Sequence, residues 1–379
     1  MISISFTVNI KLIKMIRVLH VVGKMDRAGA ETMLMNLYRH IDRSKIQFDF
    51  ITFTKEHADY DTEIFKLGGN IIPIVASNSF FRMIKLYYFL KKNPQYKIIH
   101  AHLLLNNSFH LLAAKFAGVK HSISHSHNTN NRNNNFIKKL YEKLSKIINK
   151  NIATYKFACG KEAAEYLFDD ITDVHILPNS VELEKMLETS EKNKDFIQKK
   201  FSDNGLKIIQ VGRFLPVKNH QFSLKIAQEL KKRNVDFQLY FIGQGILIDE
   251  IKKQAENNFL SNRVNFLGLR TDIAELMASA DYMIMPSLHE GFPVVLVESQ
   301  IVGLPSLISD KISQEVDLEI DLINFLPINS AEVWVDKILE KKQKKFSDTE
   351  RLNILKEKGF DAFTNAKNLT NLYQSFDNI

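Results

Sequence analysis

The chain has 379 residues, of which 45% are hydrophobic and 25% charged, as in an ordinary globular protein of about two domains. A single cysteine, Cys159, excludes a disulfide framework and a cysteine-rich zinc site, and it favours a reducing, cytoplasmic setting. No apolar run of the sequence approaches the ~20 residues that a membrane-spanning helix needs.

The net charge of +8 is unevenly distributed along the chain. Residues 1–150 contain 23 Lys and Arg against 9 Asp and Glu, whereas the remaining residues contain 28 against 34. The basic first part therefore suggests an anionic partner, which could be a lipid headgroup surface, a phosphorylated substrate or nucleic acid.

The opening residues 1–14 are interpreted as an extension ahead of the first domain. They have no charge before their apolar stretch and no small-residue cleavage site, so they make a poor signal peptide. We expect a dispensable, disordered segment, with the first strand beginning at Ile16.

Apolar strand patterns then alternate with amphipathic helix patterns, which is typical of a doubly wound parallel sheet. Strands are predicted over residues 16–22, 47–54, 71–75, 96–102 and 121–127. Helices are predicted from about residue 31 and over 61–67, 80–92, 107–117 and 135–150. The first strand leads into a loop with Gly29 at a helix start, where backbone amides can meet phosphate. A plain connecting loop is the alternative, since the G-x-G-x-x-G pattern is absent.

Histidines close two of these strands, namely His100 and His102, then His125 and His127. Ligands of open α/β sheets bind at the carboxyl ends of strands, so these imidazoles are candidate site residues. A metal on His121, His125 and His127 is the less favoured interpretation, because the spacing is loose and no acid lies close in sequence. A buried, hydrogen-bonded histidine is the alternative for each.

The helices over 80–92 and 135–150 mix aromatic and basic side chains. Such helices can lie on an anionic membrane face, or they can dock on their own sheet with a solvated lysine face. The charge of the first domain favours the membrane. Between them, residues 128–135 are rich in Asn and are interpreted as a mobile loop over the strand ends.

The interdomain hinge is placed at Pro178-Asn179-Ser180. We expect an N-terminal domain over residues 1–178, a second domain over 179–350, and a helical segment 351–379 that packs back toward the first domain. A charged helical stretch to residue 200 is followed by strands at 206–211, 237–242, 264–267 and 281–286 and helices at 221–232, 246–257, 330–345 and 348–376. The residues expected to face the core from these helices are Phe222, Leu224, Ile226, Leu230, Leu352, Leu355, Phe360 and Phe363.

Arg213 and Lys218 flank the loop after the strand 206–211. One guanidinium and one ammonium group near a helix start suit a phosphate group, although two ordinary surface cations would give the same pattern.

The segment from Ser287 to Glu298 combines the end of a strand, a polar turn and a helix. Pro293 suits the first helical position, which leaves free amides at a helix start where anions bind. Glu290 precedes this helix and Glu298 lies inside it, so one carboxylate reaches a ligand on the loop and the other reaches along it. One solvated and one partly buried glutamate is the alternative.

Gly212-Arg213 with Lys218, followed by Glu290-Gly291-Phe292-Pro293 and Glu298, resembles the retaining glycosyltransferases of family 4. Further likenesses lie at Gly29-Ala30-Glu31, Ser124-His125-Ser126-His127 and Gly243-Gln244-Gly245, and the opening from Arg17 is most similar to the capsule and exopolysaccharide branch. The resemblance implies the GT-B fold, in which two Rossmann-like domains face a central cleft.

The resemblance also implies roles for single residues. A nucleotide-sugar, usually a UDP-sugar, would bind the second domain, with Arg213 and Lys218 on the diphosphate in place of a metal or other cofactor. Glu290 would bind sugar hydroxyls, Glu298 the ribose, and His125 the sugar from the first domain. The other implied contacts are Gly29, Gly212, Gly243, Gly291, Phe292 and Val294, with His127 and Asn179 as additional donor or acceptor contacts.

The implied acceptor is a growing glycan, polyprenyl-linked, met by an enzyme held peripherally on the inner face of the cytoplasmic membrane. Retention in this family is argued to be front-face, without an enzyme nucleophile. The sequence departs from the pattern in having Ser180 after Asn179 and Gln244 where an acid is common. A nucleotide-sugar epimerase of the same fold is the nearest alternative, and a non-enzymatic anion-binding or nucleic-acid-binding protein is another. The basic residues form no reading helix, so we expect no nucleic acid.

Overall fold

The computed structural model describes residues 15–128, 135–340 and 346–376. The predicted extension 1–14 and the core of the Asn-rich loop lie outside the described residues. The lysine-rich end of the helix predicted over 330–345 lies outside them as well.

The described residues contain thirteen strands. They are β1 (Ile16–Val21), β2 (Ile46–Thr52), β3 (Asn70–Pro73), β4 (Ile98–Ala101), β5 (His121–Ser126), β6 (Tyr155–Ala158), β7 (Val174–Ile176), β8 (Leu206–Val211), β9 (Phe237–Ile242), β10 (Val264–Gly268), β11 (Tyr282–Met285), β12 (Ser306–Ser309) and β13 (Ile323–Leu326).

Fifteen α-helices connect them within the same residues. The first eight are α1 (Gly29–His40), α2 (Asp61–Lys66), α3 (Ser79–Lys92), α4 (Asn107–Ala117), α5 (Phe136–Ile152), α6 (Lys161–Phe168), α7 (Leu183–Lys192) and α8 (Phe196–Phe201). The others are α9 (His220–Lys232), α10 (Ile248–Asn257), α11 (Ile273–Ala278), α12 (Val294–Ile301), α13 (Ala331–Leu339), α14 (Asp348–Glu357) and α15 (Ala362–Phe376).

The strands form two separate parallel sheets. The first has the order β3-β2-β1-β4-β5-β6-β7 and the second β10-β9-β8-β11-β12-β13. The strand order reverses direction between β1 and β4 in the first sheet and between β8 and β11 in the second. The predicted pair of doubly wound domains is confirmed, and both reversal points are places where ligands of such sheets bind.

Each sheet is covered by helices on both faces, which is why its central strands are nearly continuous apolar runs. In the first sheet, Phe48 and Phe50 pack with Leu34 of α1 on one side. On the other side, Leu19 packs with Leu86 of α3. Two such cores per domain hold the strand ends in fixed positions.

The predicted elements agree with the observed ones at most positions, and the helix 107–117 and the strands 206–211 and 237–242 match in both bounds. The short elements β6, α6, α11, β12 and β13 were missed. Phe363 is also a wrong prediction, because it is 62% exposed, whereas Phe360 is buried. Pro293 precedes α12 as its N-cap and is not its first helical residue.

The C-terminal helix α15 packs on α1 of the first domain. Tyr373 is fully buried there, and its hydroxyl lies 2.8 Å from Nδ1 of His100. Val181, after the hinge, forms a parallel bridge with Asp361, just before α15. The two segments in which the chain passes between the domains therefore run side by side.

Among the residues that the structure describes, no helix is long and apolar enough to cross a membrane.

Replacing Tyr373 with Ala is expected to lower the free energy of unfolding by about 3–5 kcal/mol, because a buried aromatic ring leaves a cavity. At roughly 2–4 °C for each kcal/mol, the melting temperature should fall by at least ~6 °C. Phe363→Ala in the same helix is the control and should change it little, since that side chain is exposed. Equal effects of the two substitutions would show that α15 is not anchored through Tyr373.

Candidate active site

Lys218 and Glu290 form an ion pair at the carboxyl end of the second sheet. Lys218 Nζ lies 2.6 Å from Glu290 Oε1, and the two side chains are 18% and 16% exposed. The Lys218 methylene groups cross Gly212, where an added Cβ would lie 3.4 Å from Cδ and Cε. Arg213, the next residue, is exposed. The loop after β8 thus brings one paired and one exposed cation to the same place.

Backbone hydrogen bonds hold the Lys218 loop against the Glu290 loop. The amide of Leu288 donates to the carbonyl of Val217 over 2.8 Å. Asn219, in the left-handed conformation at φ 52°, donates from Nδ2 to the carbonyl of Pro286 over 3.0 Å. The ion pair therefore joins two loops whose backbones are already fixed.

Gly243 supports this arrangement from behind. It is buried and has φ 144°, and an added Cβ would lie 2.1 Å from the carbonyl oxygen of Gly212. A larger residue would push the Arg213 loop forward. The geometry gives Gly243 a packing role, whereas the sequence analysis expected a contact with the nucleotide.

The helix α12 starts directly beside the ion pair. Gly291 and Phe292 are half-buried in the turn before it, and Val294 is its first residue. The Phe292 ring stacks on Phe360 at 5.5 Å and also packs against the cluster around Cys159 of the first domain. The free amides of this helix start therefore sit where the two domains meet.

Glu298 lies in the second turn of α12 and is half-buried. Burial raises the pKa of its carboxyl group to about 7, because the charged form loses hydration. A ligand that donates hydrogen bonds to the carboxylate would favour the charged form.

On the opposite side of the cleft, Gly29 begins α1 and is exposed, with no atom within 4 Å of an added Cβ. Glu31 follows in the first turn, and burial raises the pKa of its carboxyl group. The charge of Arg213 in the second domain opposes that rise in pKa, so the two groups lie near each other across the cleft. Sequence reasoning missed this role of Glu31, although an acid directly after the Gly-Ala of a helix start was a usable signal.

The strand-end histidines gather at the carboxyl edge of the first sheet. His102 Nδ1 lies 2.9 Å from His127 Nε2, and His102 Nε2 lies 3.0 Å from His20 Nδ1. Burial lowers the pKa of His127 to about 4 and that of His125 well below its ordinary value, so these rings are neutral near pH 7.

The predicted contact between His125 and the sugar is not favoured by the conformation of this side chain. The His125 side chain is 0% exposed and cannot touch a ligand in this conformation. His127, beyond the end of β5, is half-buried, and the side chain of Asn179 lies beside it and raises its pKa. The alternation of side chains along β5 placed His125 and His127 on the same face of the strand. The strand ends at Ser126, so only His127, beyond that end, lies close to the cleft.

A second contact between the domains was not predicted at all. The Glu315 carboxylate accepts hydrogen bonds from the amides of Lys161 and Glu162, over 3.0 and 2.8 Å, at the start of α6. Ser313 Oγ donates to Glu162 Oε1 over 2.6 Å. The acid stabilises the positive end of the helix dipole, and the two contacts hold the domains together along this side.

One wall of the cleft therefore carries the two cations, the Glu290 carboxylate and the amides of a helix start. The other wall carries neutral imidazoles and the Glu31 carboxyl group. This combination suits a ligand that is anionic at one end and rich in hydroxyl groups at the other. Two facing Rossmann-like sheets with such a cleft define the GT-B class of glycosyltransferases. The solved structure of Anabaena HepE in complex with UDP has this fold, with a TM-score of 0.76 and 16% identity over 95% of this chain and all of that one.

Family models match almost the whole chain. The model Glycosyltransferase Family 4 covers residues 27–185, and the model Glycosyl transferases group 1 covers residues 191–360. EpsF of Bacillus subtilis, named as a glycosyltransferase, is 38% identical over 94% of this chain and 96% of its own. The chain belongs to the family 4 glycosyltransferases, and the resemblance noted in the sequence is confirmed. A relative from Escherichia coli, the UDP-Gal:alpha-D-GlcNAc-diphosphoundecaprenol alpha-1,3-galactosyltransferase, is 26% identical over 76% of this chain and 75% of its own.

Proposed function

We propose that this glycosyltransferase moves a sugar from a UDP-sugar to a saccharide on a polyprenyl diphosphate, with retention and without a metal, in building a capsular or other surface polysaccharide. The observation that carries the proposal is the Lys218–Glu290 ion pair beside the start of α12. The named activity of the Escherichia coli relative supports the choice of donor and acceptor.

Binding of the donor is proposed to exchange the partners of this ion pair. A diphosphate between Arg213 and Lys218 would draw the ammonium group away from Glu290. A unit charge at 4 Å contributes about 4 kcal/mol at an effective dielectric constant of 20, which is enough to compete with the existing pair. Glu290 is then free to accept hydrogen bonds from the sugar hydroxyl groups.

The same two cations would stabilise the nucleoside diphosphate as it leaves. Negative charge develops on its oxygen as the bond to the sugar breaks, and preorganised cations lower the energy of that state. Arg213 and Lys218 supply the positive charge that a metal would otherwise provide. The acceptor hydroxyl attacks the anomeric carbon from the face that the diphosphate leaves. Its proton passes to the departing phosphate oxygen.

The remaining contacts follow from the positions of the side chains. The amides at Gly291, Phe292 and Val294 meet the phosphate and the sugar, and Glu298 binds the ribose hydroxyl groups. From the first domain, His127 reaches the sugar, and the hinge residue Asn179 holds the His127 ring from the side. Gly29 and Glu31 border the space in which the acceptor would approach.

Removing either member of the ion pair is expected to abolish transfer while preserving the fold. Lys218→Ala and Glu290→Ala should each lower kcat for sugar transfer by at least ~100-fold, the typical loss of one transition-state contact. Both side chains are mostly shielded from water and each substitution leaves one charge unpaired, so a lower melting temperature is expected, with the fold retained at the assay temperature. Lys225→Ala, at an exposed position of α9, is the matched control and should transfer normally. Near-normal turnover by folded Lys218→Ala would contradict the assignment.

Glu298 is expected to make UDP binding depend on pH. With a pKa of about 7, the carboxyl group is mostly ionised at pH 8 and mostly neutral at pH 6, so its contribution to affinity should fall about tenfold between them. Protonation removes the negative charge and turns one acceptor oxygen into a donor, so affinity weakens as the pH falls. Calorimetry gives the UDP affinities of wild type and Glu298→Gln at each pH. Protonation of UDP itself affects both proteins equally, so it cancels in the ratio of the two affinities. A ratio that is constant from pH 6 to 8 would rule out this role.

A membrane-facing surface is proposed on α5, as the acceptor lipid requires. The side chains that this helix buries are Ser145 and Asn149, whereas its apolar stripe points outward. Phe136 and Ile137 are 79% and 74% exposed, and Leu140, Leu144 and Ile147 continue the stripe at helical spacing. This arrangement favours peripheral association with the inner face of the cytoplasmic membrane over a helix with only a solvated lysine face.

The exposed Lys138 and Lys139 beside that stripe are expected to attract anionic lipid, at roughly 1 kcal/mol for each lysine. The double substitution Lys138→Glu and Lys139→Glu should weaken binding to phosphatidylglycerol vesicles by at least ~10-fold in a sedimentation assay. Wild-type binding should also fall with added salt. Lys252→Glu with Lys253→Glu, an exposed pair in the second domain, is the control of equal charge. Vesicle binding that is indifferent to both salt and the α5 substitutions would remove the proposal.

A further inference from the structure

Five histidines meet at the carboxyl edge of the first sheet, and the proposed transfer uses only one of them. They come from the ends of β1, β4 and β5, which are adjacent strands. The five are His20, His100, His102, His125 and His127.

Three of these rings converge on one point. His102, His125 and His127 each place a ring nitrogen within 4.8 Å of the other two. The 2.9 Å between His102 Nδ1 and His127 Nε2 is close to the roughly 3.3 Å that separates two nitrogens bound to one tetrahedral zinc ion at 2.0–2.1 Å. Because β4 and β5 pair in parallel, the backbone already holds the rings side by side.

The neighbouring groups resemble those that orient metal-binding histidines. Such rings normally engage their second nitrogen in a hydrogen bond. His102 has this arrangement, since its Nε2 lies 3.0 Å from His20 Nδ1. The Asn179 side chain lies beside His127.

His125 is the member of the cluster whose present state is least favourable. It is 0% exposed, and neither ring nitrogen has a hydrogen-bond partner among the described residues. A buried polar atom without a partner costs about 1–3 kcal/mol. A cation that accepts the lone pair of one nitrogen would remove much of that cost.

We propose that His102, His125 and His127 form a binding site for a divalent transition-metal cation of the zinc class. Imidazole nitrogen suits zinc, copper or nickel and does not suit magnesium or calcium. His127 is half-buried and the other two rings are buried, so a cation bound there would be mostly shielded from solvent. Arg213 and Lys218 lie on the other domain, so this site takes no part in holding the diphosphate.

The test is zinc binding by the full chain after treatment with a chelator. Equilibrium dialysis with metal analysis should give about one bound zinc, and magnesium should not compete. Cobalt in place of zinc should give the visible absorption of a four-coordinate ion. His125→Leu should weaken zinc binding by at least ~100-fold without lowering the melting temperature of the metal-free protein.

His110→Leu is the matched control, because His110 is also buried with two unpartnered ring nitrogens in the described part of the chain but lies outside the cluster. It should bind zinc as wild type does. If His125→Leu fails to fold, His127→Ala at the partly exposed position replaces it and should also lose at least ~10-fold in affinity. No zinc uptake by the wild-type protein, or equal uptake by wild type and a folded cluster variant, would overturn the proposal.

Discussion

The 2.6 Å contact between Lys218 and Glu290 connects the main parts of the site. Both groups are mostly shielded from water, so each charge is kept in place by the other. An incoming diphosphate can replace Glu290 as the partner of Lys218 without creating an isolated buried charge. The ion pair thus keeps the binding groups in position before the donor arrives, and its exchange couples phosphate binding to the release of a sugar-binding carboxylate.

That contact depends on backbone positions set far behind it. Gly243 packs against Gly212 at a distance that no side chain would tolerate, and this holds the Arg213 loop back from the cleft. The Asn219 turn then joins the loop to the end of β11. On the opposite wall, the paired crossings at Val181 and Asp361 and the capping of α6 by Glu315 hold the first domain close enough for the charge of Arg213 to act on Glu31. Small residues and unusual backbone angles are therefore concentrated where the charges must meet.

The fold could be predicted from the sequence because buried parallel strands leave long apolar runs, as at β8 and β9. The short strands β6, β12 and β13 have only four residues each, with a weak pattern, and were missed. Spacing alone put Arg213, Lys218, Glu290 and Glu298 near a cleft, but it could not show the ion pair, which depends on two loops from different strands. The sequence could not decide between His125 and His127 for a related reason. Alternation gives the face of a strand, while the accessible residue depends on where the strand ends against its neighbours.

The most direct test is the stereochemistry and metal dependence of a single transfer reaction. A panel of UDP-sugars is incubated with a polyprenyl-diphosphate-linked saccharide in excess chelator, and UDP release and the anomeric configuration of the product are measured together. The proposed mechanism predicts that one donor releases UDP only when the acceptor is present, and that the new linkage keeps the anomeric configuration of the donor. An inverted linkage, transfer that needs added magnesium, or conversion of the UDP-sugar to an epimer without acceptor would contradict it.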